Sequence, residues 1–172
     1  MAKRLIFFIF VCIVSVSFGQ TLQINEATST VKFVFMDDEV EGSVSDFKFT
    51  GTIDASQLSN ANFSGSVAME TLDTDNWLRN RHLRAKKYFY NKQHPRLTFK
   101  TTKIRGAESG KEFLIDGVLT IKGVSKTVTL NVNHSANRFY ITGLINTSDF
   151  DINIHKEKER NTVNLYINLQ YE

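Results

Sequence analysis

Apolar and polar side chains alternate with a period of two along almost the whole chain after Gln20. Val31, Phe33 and Phe35 share one parity, as do Phe63, Gly65, Val67 and Met69, and then Leu97, Phe99 and Thr101. Phe113 and Ile115 open a run that continues through Leu119 and Ile121, and Val128, Leu130 and Val132 stand opposite in phase to their Thr and Asn neighbours. In the last run, Val163, Leu165, Ile167, Leu169 and Tyr171 alternate with Asn164, Tyr166, Asn168 and Gln170. This pattern predicts antiparallel strands with one buried and one wet face. The near-continuous apolar runs of a parallel sheet are absent.

Slips of phase predict the bends. Val40, Gly42 and Val44 share one parity, whereas Phe47, Phe49, Gly51 and Ile53 share the other, so a bulge is expected near Ser45 and Asp46. A second is expected at Asp116 and Gly117, and Lys122-Gly123 reads as a tight hairpin turn. Residues 155–161 form a charged loop. One stretch, residues 73–99, breaks the alternation; it is basic and holds the single Trp (Trp77) and the single Pro (Pro95). It predicts a short helix capped by Thr74 with Asp75 in its first turn. Trp77, Leu78, Leu83 and Phe89 are its apolar anchors, and Pro95 starts the extended run that follows. About eight antiparallel strands in one domain favour a closed barrel, which has no sticky edges and room for one small ligand. A two-sheet sandwich is the structural alternative. The insert is expected to close one end.

The N-terminus stands apart. Lys3 and Arg4 precede an apolar run over residues 5–16, and Ser17-Phe18-Gly19 offers small residues before Gln20. That is the pattern of a secretory signal peptide over residues 1–19, leaving one domain over residues 20–172 and a periplasmic or secreted location. The run is shorter than the roughly 20 residues of an ordinary span, so no stable membrane anchor is expected. Cys12 is the only Cys and follows Val11 rather than a small residue, so no lipid anchor and no disulfide are expected. The formal net charge of +3 includes Lys3 and Arg4, and export argues further against a nucleic-acid partner.

Motifs for catalysis are missing: there is no G-x-S-x-G elbow, phosphate-cradling Gly loop or dinucleotide fingerprint. His82, His94, His134 and His155 lack metal-ligand spacing, so no metal and no enzyme activity are expected. Of the 14 Phe residues, only Phe7, Phe8, Phe10 and Phe18 belong to the leader; the others fall largely on strands. Burying a lipid tail among them contributes about 0.8 kcal/mol per methylene. The candidate ligand-binding residues are Phe33, Phe47, Phe49, Val67, Trp77, Leu83, Phe89, Phe99, Leu119, Leu165 and Ile167. Arg79, Arg81, His82 and Arg84 are candidates for the cavity mouth or an anionic head group, for which Arg forks are suited. His82 is read as a hydrogen-bonding residue that fixes the cap. The alternative is a solidly packed barrel acting as a stress-response or interaction module.

Arg79-Asn80-x-His82-Leu83, then Tyr88-Phe89, then Pro95-x-Leu97-Thr98-Phe99, then Gly117-x-Leu119-Thr120-Ile121-x-Gly123-Val124-Ser125-Lys126 follow one another along the chain, and in this order they resemble the YceI-like family. Arg79, Asn80, His82 and Leu83 match its Arg-Asp/Asn-x-His-Leu signature, and Tyr88 and Phe89 its aromatic pair. Pro95, Leu97, Thr98 and Phe99 match the following strand, and Gly117, Leu119, Thr120, Ile121, Gly123, Val124, Ser125 and Lys126 match the hairpin. Near the C-terminus Thr147 stands where the family often has Arg, and Asp151 where it has Gly. The resemblance implies an all-β, lipocalin-like antiparallel barrel. It also implies an exported, non-enzymatic protein that binds an amphiphilic lipid such as a long isoprenoid or a quinone. No cofactor beyond that lipid is expected, and a homodimer is left open.

Overall fold

The computed structural model describes residues 21–107 and 110–172. The expected signal peptide lies outside the described residues. Ten strands form one antiparallel sheet: β1 (Thr21–Leu22), β2 (Ile24–Phe35), β3 (Val40–Val44), β4 (Lys48–Asp54), β5 (Asn62–Ala68), β6 (Arg96–Arg105), β7 (Glu112–Ile121), β8 (Val124–Ser135), β9 (Arg138–Asn146) and β10 (Thr162–Tyr171). One helix, α1 (Trp77–Arg84), lies between β5 and β6.

The strand order is β1-β4-β5-β6-β7-β8-β9-β10-β2-β3. Only Gln23 separates β1 from β2, yet β1 pairs with β4 while β2 pairs with β10 and β3. One continuous stretch therefore holds both ends of the sheet, which is curled upon itself. This explains ten strands where the alternation suggested about eight: two long strands are each cut in two. The cut between β3 and β4 falls at the expected phase slip, where Asp46 takes a left-handed φ of 51°. The other cut accompanies an irregularity in β2, whose register against β10 shifts between Asn168 and Gln170. There the Glu26 carboxylate accepts a hydrogen bond from the Phe49 N–H at 2.7 Å, joining β2 to β4 through a side chain.

The hairpin at Lys122-Gly123 forms as expected, with φ of 52° and 80°. The bulge expected at Asp116 and Gly117 lies instead on the facing strand, where β6 shifts register between Thr101 and Lys103. A phase slip belongs to a strand pair, so either member can carry the extra residue.

Inward-facing residues form two core clusters. The first contains Phe33, Phe35, Leu72, Leu83, Phe89, Ile121 and Phe150; the second contains Leu22, Ile53, Leu58, Phe63, Phe113, Ile115, Phe139 and Leu169. Phe47, Phe99 and Val128 pack against both. The first cluster lies toward the insert. Beside it, fully buried Asn161 organises the preceding loop. Its Oδ1 accepts from the N–H groups of Ile154 (2.8 Å) and His155 (2.9 Å), and its Nδ2 donates to the carbonyls of His155 and Glu157, both at 2.9 Å.

Candidate functional site

A cavity of ≈ 160 Å³ runs between the two clusters. Apart from Gly65, Ser66, Thr98 and Thr147, its lining consists of aliphatic, Met and Phe side chains, and no lining residue carries a charge. Alternation puts them there: each strand sends every second side chain inward. Glycines make room for the rings. A methyl group on Gly117 would fall 2.2 Å from Cζ of Phe99, one on Gly42 2.4 Å from Cζ of Phe33, and one on Gly65 3.3 Å from Cε2 of Phe47. The rings thus lie close over bare backbone and leave the lumen partly vacant.

Phe33, Phe49, Val67, Phe99, Leu119, Leu165 and Ile167 line this cavity from the strands, Phe47 lines it from just before β4, and Phe89 lines it from the insert. Trp77 does not: it is 73% exposed. The helix buries Asn80 and Leu83 and turns Trp77 and Leu78 to solvent. Leu83 is buried in the first cluster, behind the lining. The alternation did not single out Leu72, Ile145 and Thr147, which come from loops or a strand end.

Polar contacts hold the insert in place. Asn76, not Thr74, caps α1; its Oδ1 accepts from the Arg79 N–H at 3.0 Å. Thr74 has another role. Its N–H (2.9 Å) and hydroxyl (2.6 Å) donate to Oδ1 of buried Asn80, whose Nδ2 donates to Asp73 at 2.7 Å. That last bond holds the Asp73 carboxyl below its ordinary value, aided by the Asp75 N–H. Arg79 donates to the Thr74 hydroxyl (2.8 Å) and carbonyl (2.6 Å), and Arg84 donates to the Leu72 carbonyl. Both half-buried guanidiniums are therefore engaged within the cap, while Arg81 and His82 face solvent. Asn80 has the fixing role that the sequence suggested for His82.

Asp37, Asp38 and His155 place ligand-type atoms within 4.8 Å of one another. His155 Nε2 lies 2.9 Å from Asp38, and Asp37 accepts from Arg160 at 2.9 and 2.6 Å, which holds the Asp37 carboxyl low. These groups clasp the β2–β3 turn to the loop before β10. The Thr147 hydroxyl donates to the Ile152 carbonyl at 2.8 Å, so it is already used within its own turn. Asp151 has a left-handed φ of 57°, a conformation Asp tolerates better than most residues with a side chain. That geometry accounts for a Gly being usual there.

Comparison with known proteins agrees with this architecture. A protein of Photorhabdus laumondii from the UPF0312 group is 31% identical over 90 residues, covering 52% of this chain and 46% of its own. The chain thus spans about half the length of that curated relative. The crystal structure of Burkholderia cenocepacia BcnA superposes with a TM-score of 0.75 at 24% identity, covering 86% of this chain and 98% of that one. A polyisoprenoid-binding domain from Saccharophagus degradans superposes at 0.59 with 18% identity, covering 90% and 98%. These two likenesses concern the fold. The YceI-like domain model matches residues 22–171, the whole curled sheet with its insert, and the chain belongs to the YceI-like domain family.

Proposed function

We propose that this protein is an exported, non-enzymatic carrier that holds the tail of an isoprenoid-type amphiphile in its lumen. The observation that carries this reading is the cavity between the clusters, lined by hydrocarbon and free of charge. Such a lumen rewards an apolar guest at about 0.8 kcal/mol per buried methylene and offers an ionic group nothing. A head group therefore stays outside. The polyisoprenoid-binding fold relative supports the same ligand class.

The volume refines the reading. A dry cavity of about 150 Å³ in another protein takes a guest the size of benzene. The ≈ 160 Å³ present here is of that order, so a tail of several isoprene units must push the lining apart. The partly buried rings of Phe47, Phe49 and Phe99 are the movable parts. A solidly packed interaction module is the less favoured reading, because such a core leaves no void of this size.

Solvent extraction and mass spectrometry of the purified protein test the proposal, together with uptake of a polyprenyl lipid by delipidated protein. A stoichiometric amphiphile or saturable uptake is the expected result. An empty extract combined with no uptake overturns it.

A further inference from the structure

We propose that the outer face of α1 docks on a bilayer surface rich in anionic phospholipid. Trp77 is 73% exposed and Leu78 is 46% exposed, an unusual outlay of apolar surface for eight residues of helix. Exposed Arg81 and His82 share that face, since residues i and i+4 of a helix lie on one side. Just beyond, exposed Lys86 and Lys87 project past the rings of Tyr90 and Tyr88, at 5.9 and 5.1 Å from the ring centres. The inner side of the same segment is committed elsewhere: Asn80 and Leu83 are buried, and Arg79 and Arg84 bond to the backbone of the cap.

Charge decides which occupant fits. Residues 76–94, the helix and the segment after it, contain no Asp or Glu, and among them Arg81, Lys86, Lys87 and Lys92 are exposed cations. Trp settles at the level of lipid head groups, and Lys and Arg beside it are drawn to anionic lipids. An uncharged bilayer satisfies only the apolar half of this surface. A second copy of the chain would set one basic face against another. The contact is interfacial, because a helix of eight residues is far too short to span.

The inference rests on the carrier reading for its purpose but is measured separately from it. Trp77 is the only Trp in the chain, so tryptophan emission, excited selectively over the five Tyr, reports this face alone. The experiment titrates the protein with vesicles of phosphatidylcholine, with and without phosphatidylglycerol, and follows both emission and co-sedimentation. A blue shift with the anionic vesicles, weakened by salt, is expected. Trp77→Ser and Leu78→Ser should each lower co-sedimentation about tenfold, and Arg81→Glu about fivefold or more. All three residues are exposed, so the melting temperature should stay unchanged. Lys103→Glu, on exposed β6 surface, should bind as wild type.

Wild-type protein that neither shifts nor sediments overturns the proposal, and so does binding indifferent to Trp77 and Arg81. A blue shift that tracks protein concentration without vesicles assigns the face to a second copy and also overturns it. Uptake of lipid presented in detergent separates the two readings. Trp77→Ser should load normally there, and a wild type that docks without loading leaves this inference standing while the carrier reading falls.

Discussion

Filling the lumen should stabilise the empty protein and abolish its proposed function in the same stroke. Val31 lines the cavity on β2 and faces Val44 and Ile167 on its two neighbours, side chains of moderate size. Replacing it with Phe sends a ring into the void. At about 24 cal/mol per Å³, an empty cavity of ≈ 160 Å³ costs about 4 kcal/mol. A ring that occupies about a quarter of it should recover about 1 kcal/mol. That raises the melting temperature by about 2–4 °C for a chain of this size. Uptake of a polyprenyl lipid should fall about tenfold or more, because the ring stands where the tail must lie; this corresponds to about 1.4 kcal/mol of lost affinity. The assay is urea and thermal unfolding of delipidated protein beside lipid titration. Overpacking of a filled core costs about 1–3 kcal/mol instead. A destabilised V31F would therefore refute the void, and a stabilised V31F with undiminished uptake would refute the lumen as the binding place.

Other consequences follow from named contacts. Asn161→Ala leaves the N–H groups of Ile154 and His155 without their acceptor in a buried place; we expect a loss of about 2–4 kcal/mol in urea unfolding, and a change below 0.5 would contradict that role. Asn80→Ala strips the Thr74 N–H of its partner, and the expected cost is about 1–3 kcal/mol, with hydrogen exchange across the cap rising before exchange in the strands. Gly117→Ala drives a methyl group against Phe99 and should destabilise by about 1–3 kcal/mol while reducing lipid uptake, since the displaced ring swings into the lumen. Acid should unfold the protein in a defined sense. The carboxyls of Glu26 (held by the Phe49 N–H), Asp46 (by Arg96) and Asp116 (by Arg105) sit below their ordinary values. Their contribution is complete above the unfolded values near 4 and is lost as pH falls through the lower folded ones, so the melting temperature should fall below about pH 4, modestly because Glu26 and Asp46 are solvent-exposed. A flat profile there, or one that D46N and D116N leave as steep as before, would contradict it.

The strands were legible because period-two alternation is a direct image of burial on a curled sheet. Phe33, Leu119 and Ile167 could be assigned to the lumen from parity alone. The closure was not legible. Nothing in Thr21–Leu22 and Ile24–Phe35 reveals that, of two strands divided by one residue, one forms an edge of the sheet and the other lies next to the opposite edge, since pairing is a property of distant partners. The helix misled for a different reason. Trp77, Leu78 and Leu83 do not fall on one stripe at about 100° per residue, so the helix has no amphipathic pattern from which to read its inner face. The largest apolar residue then looked like an anchor. In the structure, Leu83 and a polar side chain, Asn80, occupy the inner face, and Asn80 belongs there only because Thr74 and Asp73 meet it. Lumen vacancy was also beyond the sequence, because the small glycines that seat Phe99 and Phe47 show their effect only when facing strands are in register.

The two faces of α1 bear on the same step. On the carrier reading a tail must reach the lumen, and two of the lining residues, Leu72 and Phe89, lie on either side of the helix in sequence. Leu72 is tied to the helix through the Arg84 bond to its carbonyl, and Phe89 through its N–H to the Leu83 carbonyl at 2.9 Å. Both lining residues are thus linked to the helix by hydrogen bonds as well as by the chain. The insert is held to the sheet by the backbone bridge between Ser43 and Asp73, by the Thr74–Asn80–Asp73 side-chain bonds, and by the packing of Leu72, Leu83 and Phe89 in the first cluster. If the docking proposal holds, a bilayer that engages Trp77 and Leu78 pulls on this insert, and Asn80→Ala, which cuts the Thr74–Asn80–Asp73 cluster, should make the insert yield more easily.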